Sequence, residues 1–477
     1  MRTPILLAAI VLGSPLGTVA GSERPNIVLA MADDLGWGET GYNRHPYLLT
    51  PVLDEMAATG LRFDRFYAAA PTCSPTRASI LTGRHPNRSG VFSPNHTTRP
   101  EEVTIARILR DAGYRTGHFG KWHVGAVKAE SPTSPGRMGY EEYLAHDNFF
   151  EMHPPLSRNG APPDTVRGES SKICVDAALD FIRSVQQQGS EPFFVTLWFG
   201  SPHSPYRALH EDVERYSDVP GRELARRYAE ITALDRALGE FRTALREMGA
   251  AGDTLLWFTS DNGITLEGIP QEQRQWLYNG GWRGSKGSLY EGGLLVPGII
   301  EWPSKITSGR QTPVTAVTTD IFPTVLALIG LKHPHPDRPL DGLDLSPLIL
   351  SADMDRRPEP VGFWVYDRTA EAGNPRWMDP DLTRGTTPTT RNPGIDFVNF
   401  RHPVAKTSDF GGTAAWRDAR YKLVRIRSRE PELYDLLEDP RERVDLAARH
   451  PDRVRGMVVE LEEWQRSVER SLAGQDY

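Results

Sequence analysis

The chain has 477 residues, 62 of them acidic and 55 basic, for a net charge of −7, and only two are cysteines. With no basic run, it offers no electrostatic footprint for nucleic acid or an anionic membrane surface. Two cysteines exclude a disulfide scaffold, although a single pairing between them stays open.

Met1-Arg2, the apolar run from Ile5 to Leu12 and the small residues Thr18 and Ala20 read as a signal peptide over 1–20. The run is too short to span a bilayer and no later run reaches that length, so the mature chain is expected to be exported, to the periplasm or beyond. Five short apolar runs follow as candidate strands: Asn26 to Ala32, Arg115 to Gly120, Phe193 to Phe199, Thr254 to Thr259 and Gly298 to Trp302. Their near-continuous apolarity suits strands buried on both faces of a parallel sheet. Between them lie helical patterns: Thr50-Pro51 to Gly60, with a cap, an opening Pro and a closing Gly; Ile105, Ile108, Leu109 and Ala112; and Ile231, Leu234, Leu238, Phe241, Leu245 and Met248. Alternation of this kind predicts an α/β fold, with a large, mostly parallel sheet sandwiched by helices, over 21–350. Beyond Asp341 to Leu345 the texture changes. An irregular loop over 366–416 precedes the strand-like Ala414-Ala415-Trp416, Tyr421 to Val424 and Glu432-Leu433-Tyr434, then an amphipathic helix from Asp452 to about Leu472. A smaller α+β domain with an antiparallel sheet is expected over 351–477.

Polar groups follow the ends of the candidate strands: Asp33-Asp34, Lys121 with His123, His203, and Asp261-Asn262. Open α/β sheets bind ligands outside the carboxyl ends of their strands, so these groups can converge on one pocket. An isolated Asp-Asp or Asp-Asn pair is more often a turn or a cap. Taken jointly, three carboxylates and an amide without a nearby His/Cys cluster suit Ca²⁺ or Mg²⁺ rather than zinc. Cys73 opens Cys73-Ser74-Pro75-Thr76-Arg77 and the helical pattern that closes at Gly83. Its side chain is expected at a helix N-terminus, where N–H groups and the dipole favour an anion. Cys174, in step with Ile173, Ala177, Ala178, Phe181 and Val185, reads as core. The sequons at Asn87 and Asn95 add little, because glycosylation depends on the source.

The segment from Cys73 to Arg84 resembles the type I sulfatase signature, C-x-P-x-R followed by L-T-G-R. Gly120-Lys121-Trp122-His123, Ser201-Pro202-His203 and the run from Gly284 to Gly293 containing Lys286 are similar to three further segments of that family, and Asp33-Asp34 and Asp261-Asn262 to its metal-binding segments. The resemblance covers about residues 24 to 350 and implies the alkaline-phosphatase-like fold. It implies formylglycine formed from Cys73 by a separate maturation enzyme, its hydrate being the nucleophile. It also implies one Ca²⁺ held by Asp33, Asp34, Asp261, Asn262 and the modified Cys73. Arg77 is expected to stabilise the hydrate, Lys121 and Lys286 to bind sulfate, His123 to orient and deprotonate the hydrate, and His203 to serve the leaving oxygen. The implied activity is hydrolysis of O-sulfate esters, and the implied partner a sulfated saccharide, as for bacterial polysaccharide and N-acetylgalactosamine-type sulfatases. Two other readings predict different chemistry. A phosphonate monoester or phosphodiester hydrolase of the same superfamily would keep most of the site, whereas a non-catalytic Ca²⁺-dependent glycan-binding protein would need neither Cys73, Lys121 nor His123.

Overall fold

The strand Asn26–Ala32 shows how the chain builds its core. Ile27, Leu29 and Met31 enter one apolar cluster while Val28, Ala30 and Ala32 enter another on the opposite face. A strand that is apolar at six consecutive positions, Ile27 to Ala32, can be satisfied only inside a sheet covered on both sides. The structure is a computed structural model that describes residues 24–306, 308–351, 353–366, 373–402, 411–427 and 429–477. The expected leader over 1–20 lies outside these residues, as does part of the 366–416 segment.

Ten strands form the main sheet, in the order Arg310–Thr312, Leu61–Phe63, Ile299–Glu301, Thr254–Ser260, Asn26–Ala32, Phe193–Trp198, Arg115–Lys121, Glu142–His146, Pro155–Arg158 and Asp164–Thr165. The five from Thr254–Ser260 to Glu142–His146 run parallel. Helices Pro51–Thr59, Ser170–Gln188 and Arg222–Glu247 cover one face, and Cys73–Thr82, Ile105–Asp111 and Ile321–Leu328 cover the other. One expectation fails: the run Gly298 to Trp302, expected as a parallel strand, forms Ile299–Glu301 antiparallel to Thr254–Ser260. An apolar run specifies burial on both faces but not strand direction. Glu142–His146, with a single Leu amid Glu, Tyr, Ala and His, lacked the apolar run that marked the others.

A second sheet of four antiparallel strands, Val361–Tyr366, Gly412–Arg417, Tyr421–Arg425 and Glu432–Asp435, packs against the helix Pro451–Leu472. Between its first two strands the chain crosses back to the main sheet. Thr387 Oγ1 donates to Asp147 Oδ2 at 2.7 Å, and Val398 exchanges backbone bonds with Asn95 and Thr97 at 3.1 and 3.0 Å.

Candidate active site

Sheet register brings the acidic motifs together. Asn26–Ala32 pairs residue for residue with Thr254–Ser260, so Asp33-Asp34 and Asp261-Asn262 emerge side by side at the carboxyl ends. Asp261 N–H donates to Ala32 O at 3.2 Å, Asp34 N–H donates to Asp261 Oδ1 at 3.1 Å, and Asn262 Nδ2 donates to Asp34 Oδ1 at 2.8 Å. Asp34 has φ 71°, a left-handed conformation that Asp tolerates better than most residues. Its carbonyl is gripped by Arg227 Nη2 at 2.7 Å, and Arg227 in turn is paired with Glu39 at 2.6 Å, all fully buried.

Cys73 is the first residue of its helix, which ends on Gly83 at φ 68°. The Cys73 Sγ lies 3.6 Å from both Asp33 Oδ1 and Asn262 Oδ1. Helix position alone predicts a thiol inclined to ionise, and the surroundings reverse this. Burial, and next the Asp261 carboxylate, push the Cys73 thiol far above its usual range, despite Lys121 and Lys286. Desolvation and two like charges outweigh half a dipole charge and two ammoniums already engaged with carboxylates. Cys73 and Cys174 are both free thiols, and Cys174 lies in the core as expected.

Each carboxylate carries a cation. Lys121 Nζ is 2.6 Å from Asp33 Oδ2, Lys286 Nζ is 2.7 Å from Asp34 Oδ1, and Arg77 clamps Asp261 Oδ2 through Nε at 3.0 Å and Nη2 at 2.7 Å. Arg77 also donates to the Lys121 carbonyl at 2.9 Å and stacks on Trp198. Three of the five Arg77 N–H donors are thus engaged with Asp261 and the Lys121 carbonyl. Burial would raise the Asp34 carboxyl, but Lys286 and then His203 outweigh it and hold it below the carboxylate range. Asp261 goes the other way, raised by burial and by Asp33.

Both site histidines are held neutral, His123 buried and His203 half-buried. Burial and Lys286 bring His203 down to about 3. Its Nδ1 is 2.7 Å from Ser204 O and so carries the proton, leaving Nε2 facing Lys286 Nζ at 3.5 Å and Asp34 Oδ2 at 3.8 Å. Burial, followed by Lys121 and Arg77, holds His123 well below the imidazole range. Phe149 stacks on His203 at 4.4 Å. Sequence reasoning missed Phe149 and also Asn95, whose Oδ1 lies 2.8 Å from His123 Nε2. Arg227 could have been found, because a charged residue falls there on the buried stripe with Leu224, Tyr228 and Ile231.

Asp33, Asp34, Cys73 and His203 present ligand atoms within 4.8 Å of one another, with Asn262 Oδ1 beside Cys73. His203 was not among the expected metal ligands. Asp261, which was, is not among these four; its Oδ2 accepts from Arg77 and its Oδ1 from the Asp34 N–H. Buried oxygens dominate the set, which fits a hard divalent cation.

A buried site of carboxylates, ammoniums and histidines at the carboxyl edge of a mostly parallel α/β sheet defines a hydrolase of anionic esters. The Sulfatase family model matches residues 25–331. The chain belongs to the sulfatase family and is a sulfuric ester hydrolase. It is 34% identical over 380 residues to the N-acetylgalactosamine-6-sulfatase of Mus musculus, spanning 72% of this chain and 70% of the relative. It is 35% identical over 377 residues to the arylsulfatase A of Bos taurus, spanning 71% and 70%. The solved structure of Ps i-CgsB in complex with k-i-k-neocarrahexaose shares the fold, with a TM-score of 0.77, 24% identity and 94% of each chain covered. No described helix is long and apolar enough to cross a membrane.

Proposed function

We propose that this sulfatase acts on sulfated saccharides through a formylglycine formed from Cys73, assisted by one Ca²⁺. Charge balance carries the reading. Asp33, Asp34 and Asp261 are matched by Lys121, Lys286 and Arg77, and both ammoniums rest on carboxylates suited to a cation. Ca²⁺ held by Asp33, Asp34 and Asn262, with Asp261 completing the acidic wall, would polarise the sulfuryl oxygens. It would also release Lys121 and Lys286 to bind the anionic ester group in a site left with excess positive charge. Formylglycine supplies a hydrated aldehyde, an oxygen nucleophile in place of a thiol that its surroundings keep protonated.

The remaining roles belong to side chains already in place. Arg77 holds Asp261 and the Lys121 carbonyl. His123, neutral and buried, accepts a proton. His203 cannot hold a proton on Nε2 while Lys286 stands beside it uncompensated. A bound sulfuryl anion offsets that charge, so a proton on Nε2 can pass to the leaving oxygen.

The saccharide assignment rests on relatives named for N-acetylgalactosamine 6-sulfate and on the Ps i-CgsB complex with an oligosaccharide. The leader over 1–20 would export the enzyme to meet extracellular glycans, and a maturation enzyme would act on Cys73 beforehand. Mass spectrometry of the peptide Phe66 to Arg77 is expected to show formylglycine in active preparations, with turnover following the converted fraction. Chelation is expected to abolish that turnover and Ca²⁺ to restore it. An active enzyme carrying only thiol would overturn the nucleophile. Full activity without metal would overturn the cation, and turnover of aryl but no saccharide sulfates would overturn the substrate class.

A further inference from the structure

His123 is gripped by residues that the proposed chemistry leaves unused. The residue has φ 59°, is 2% exposed, and donates its backbone N–H to Asp147 O at 3.1 Å. Its Nε2 meets Asn95 Oδ1 at 2.8 Å, while Nδ1 is buried with no hydrogen-bond partner. An amide oxygen only accepts, so the contact puts the ring proton on Nε2 and leaves the Nδ1 lone pair bare. A buried polar atom left unpaired is costly, so a bare Nδ1 in the site calls for a use.

Asn95 is itself fixed on three sides. It sits at φ 67°, in the left-handed region that Asn tolerates, and its N–H donates to the Oγ of Ser74, the residue next to Cys73, at 3.1 Å. Its carbonyl accepts the Val398 N–H at 3.1 Å, and Thr97 N–H returns a bond to Val398 O at 3.0 Å. Asn399 Nδ2 ties Thr97 O and Ser89 O at 2.7 and 2.9 Å, and the Phe397 ring stands edge-on to His123 at 6.2 Å. The segment 397–399, about 300 residues away in the chain, thus locks both members of the pair.

We propose that Asn95 is a positioning residue of this sulfatase: its side-chain oxygen fixes His123 as the Nε2–H tautomer, making Nδ1 the atom that accepts the proton. The inference rests on His123 being the proton acceptor. Asn95 links that base to the helical turn that presents Cys73, so one residue sets both the tautomer and the placement of the ring. Its sequon is accounted for in the same way, since the side chain turns inward on a buried imidazole.

The tautomer can be read directly in the full-length protein with Cys73 unmodified, using histidine labelled with ¹⁵N in both ring positions. His123 signals are identified by their loss in His123→Ala. The wild-type protein is expected to show a neutral ring protonated at Nε2; a ring protonated at Nδ1 would overturn the proposal without any change to Asn95. Asn95→Asp keeps an acceptor and is expected to keep the Nε2 proton, whereas Asn95→Leu is expected to show both tautomers. In converted, Ca²⁺-loaded enzyme with 4-nitrophenyl sulfate, Asn95→Leu is expected to lower kcat by about tenfold to a hundredfold with KM little changed, and Asn95→Asp to recover most of it. Unchanged tautomer and kcat in a folded Asn95→Leu would also overturn the proposal. If His123→Ala retained full kcat, the reading of His123 as the base would fall. The tautomer measurement would still judge the hold of Asn95 on its own.

Discussion

His203 faces Asp34 and Lys286 through Nε2 and is stacked against Phe149, so under the proposed roles its loss would remove a proton route while leaving Lys121 and Lys286 to bind the sulfate. Leaving groups of low pKa need little protonation. His203→Ala is therefore expected to slow alkyl or sugar sulfates by about a hundredfold while slowing 4-nitrophenyl sulfate only severalfold. The comparison is kcat/KM for the two substrates on one preparation, and equal losses would remove His203 from that role. Cys73 teaches a related lesson. Motif and helix position were legible in the sequence, but the sign of its electrostatic environment was not. That sign depends first on burial and then on Asp261, which reaches Cys73 through the sheet and not through the chain.

At the scale of elements, the crossing segment between the two sheets does two jobs. Residues 395–399 support His123, and Thr387 is tied to Asp147, while the tip over 389–394 is largely exposed and reaches the rim of the site. There Arg391 bonds Glu267 at 3.0 Å and Ser204 Oγ at 3.4 Å, next to His203. Under the proposed saccharide reading, an exposed tip so placed is suited to meet the sugar, while the charged groups at the sheet edge meet the sulfate that all substrates share. Shortening 389–394 to two glycines is expected to cut kcat/KM for a sulfated oligosaccharide by about tenfold, equivalent to about 1.4 kcal/mol of lost contact, and to leave an aryl sulfate unchanged. Parallel losses on both substrates, in a variant of wild-type stability, would count against a saccharide-reading tip. The irregular composition of this segment marked it as a loop. That its base closes over His123 was not visible, because no local pattern records which distant strand a loop will meet.

Across the whole molecule, burial holds neutral imidazoles where ordinary ones would titrate. His45, His85 and His118 are each brought down to about 3, chiefly by burial. Between pH 6.5 and 3 the unfolded chain binds protons at these residues and the folded chain does not, so stability is present above pH 6.5 and lost as pH falls. Three such groups contribute about 4 kcal/mol per pH unit within that window. His45 Nδ1 accepts the N–H groups of Tyr47 and Leu48 at 3.2 and 2.9 Å, which Asn can also accept. His45→Asn is therefore expected to flatten the acid slope of urea-unfolding stability by about one bound proton, and an identical slope would show that His45 titrates normally in the fold.

Local pattern was enough for what is written locally. Strand Asn26–Ala32 is apolar from Ile27 onward because both of its faces are covered. The helix Cys73–Thr82 ends at a glycine because a left-handed residue must close it. The acidic pairs sit just past strand ends, where an α/β sheet leaves room for a ligand. Tertiary structure alone decided the rest: the antiparallel turn of Ile299–Glu301, the commitment of Arg77 to Asp261, the grip of Arg227 on the Asp34 carbonyl and the Asn95–His123 pair. Each of these is a contact between residues far apart in the chain. Such contacts are set by sheet register and by which buried polar groups must find partners, and period and spacing carry no record of either.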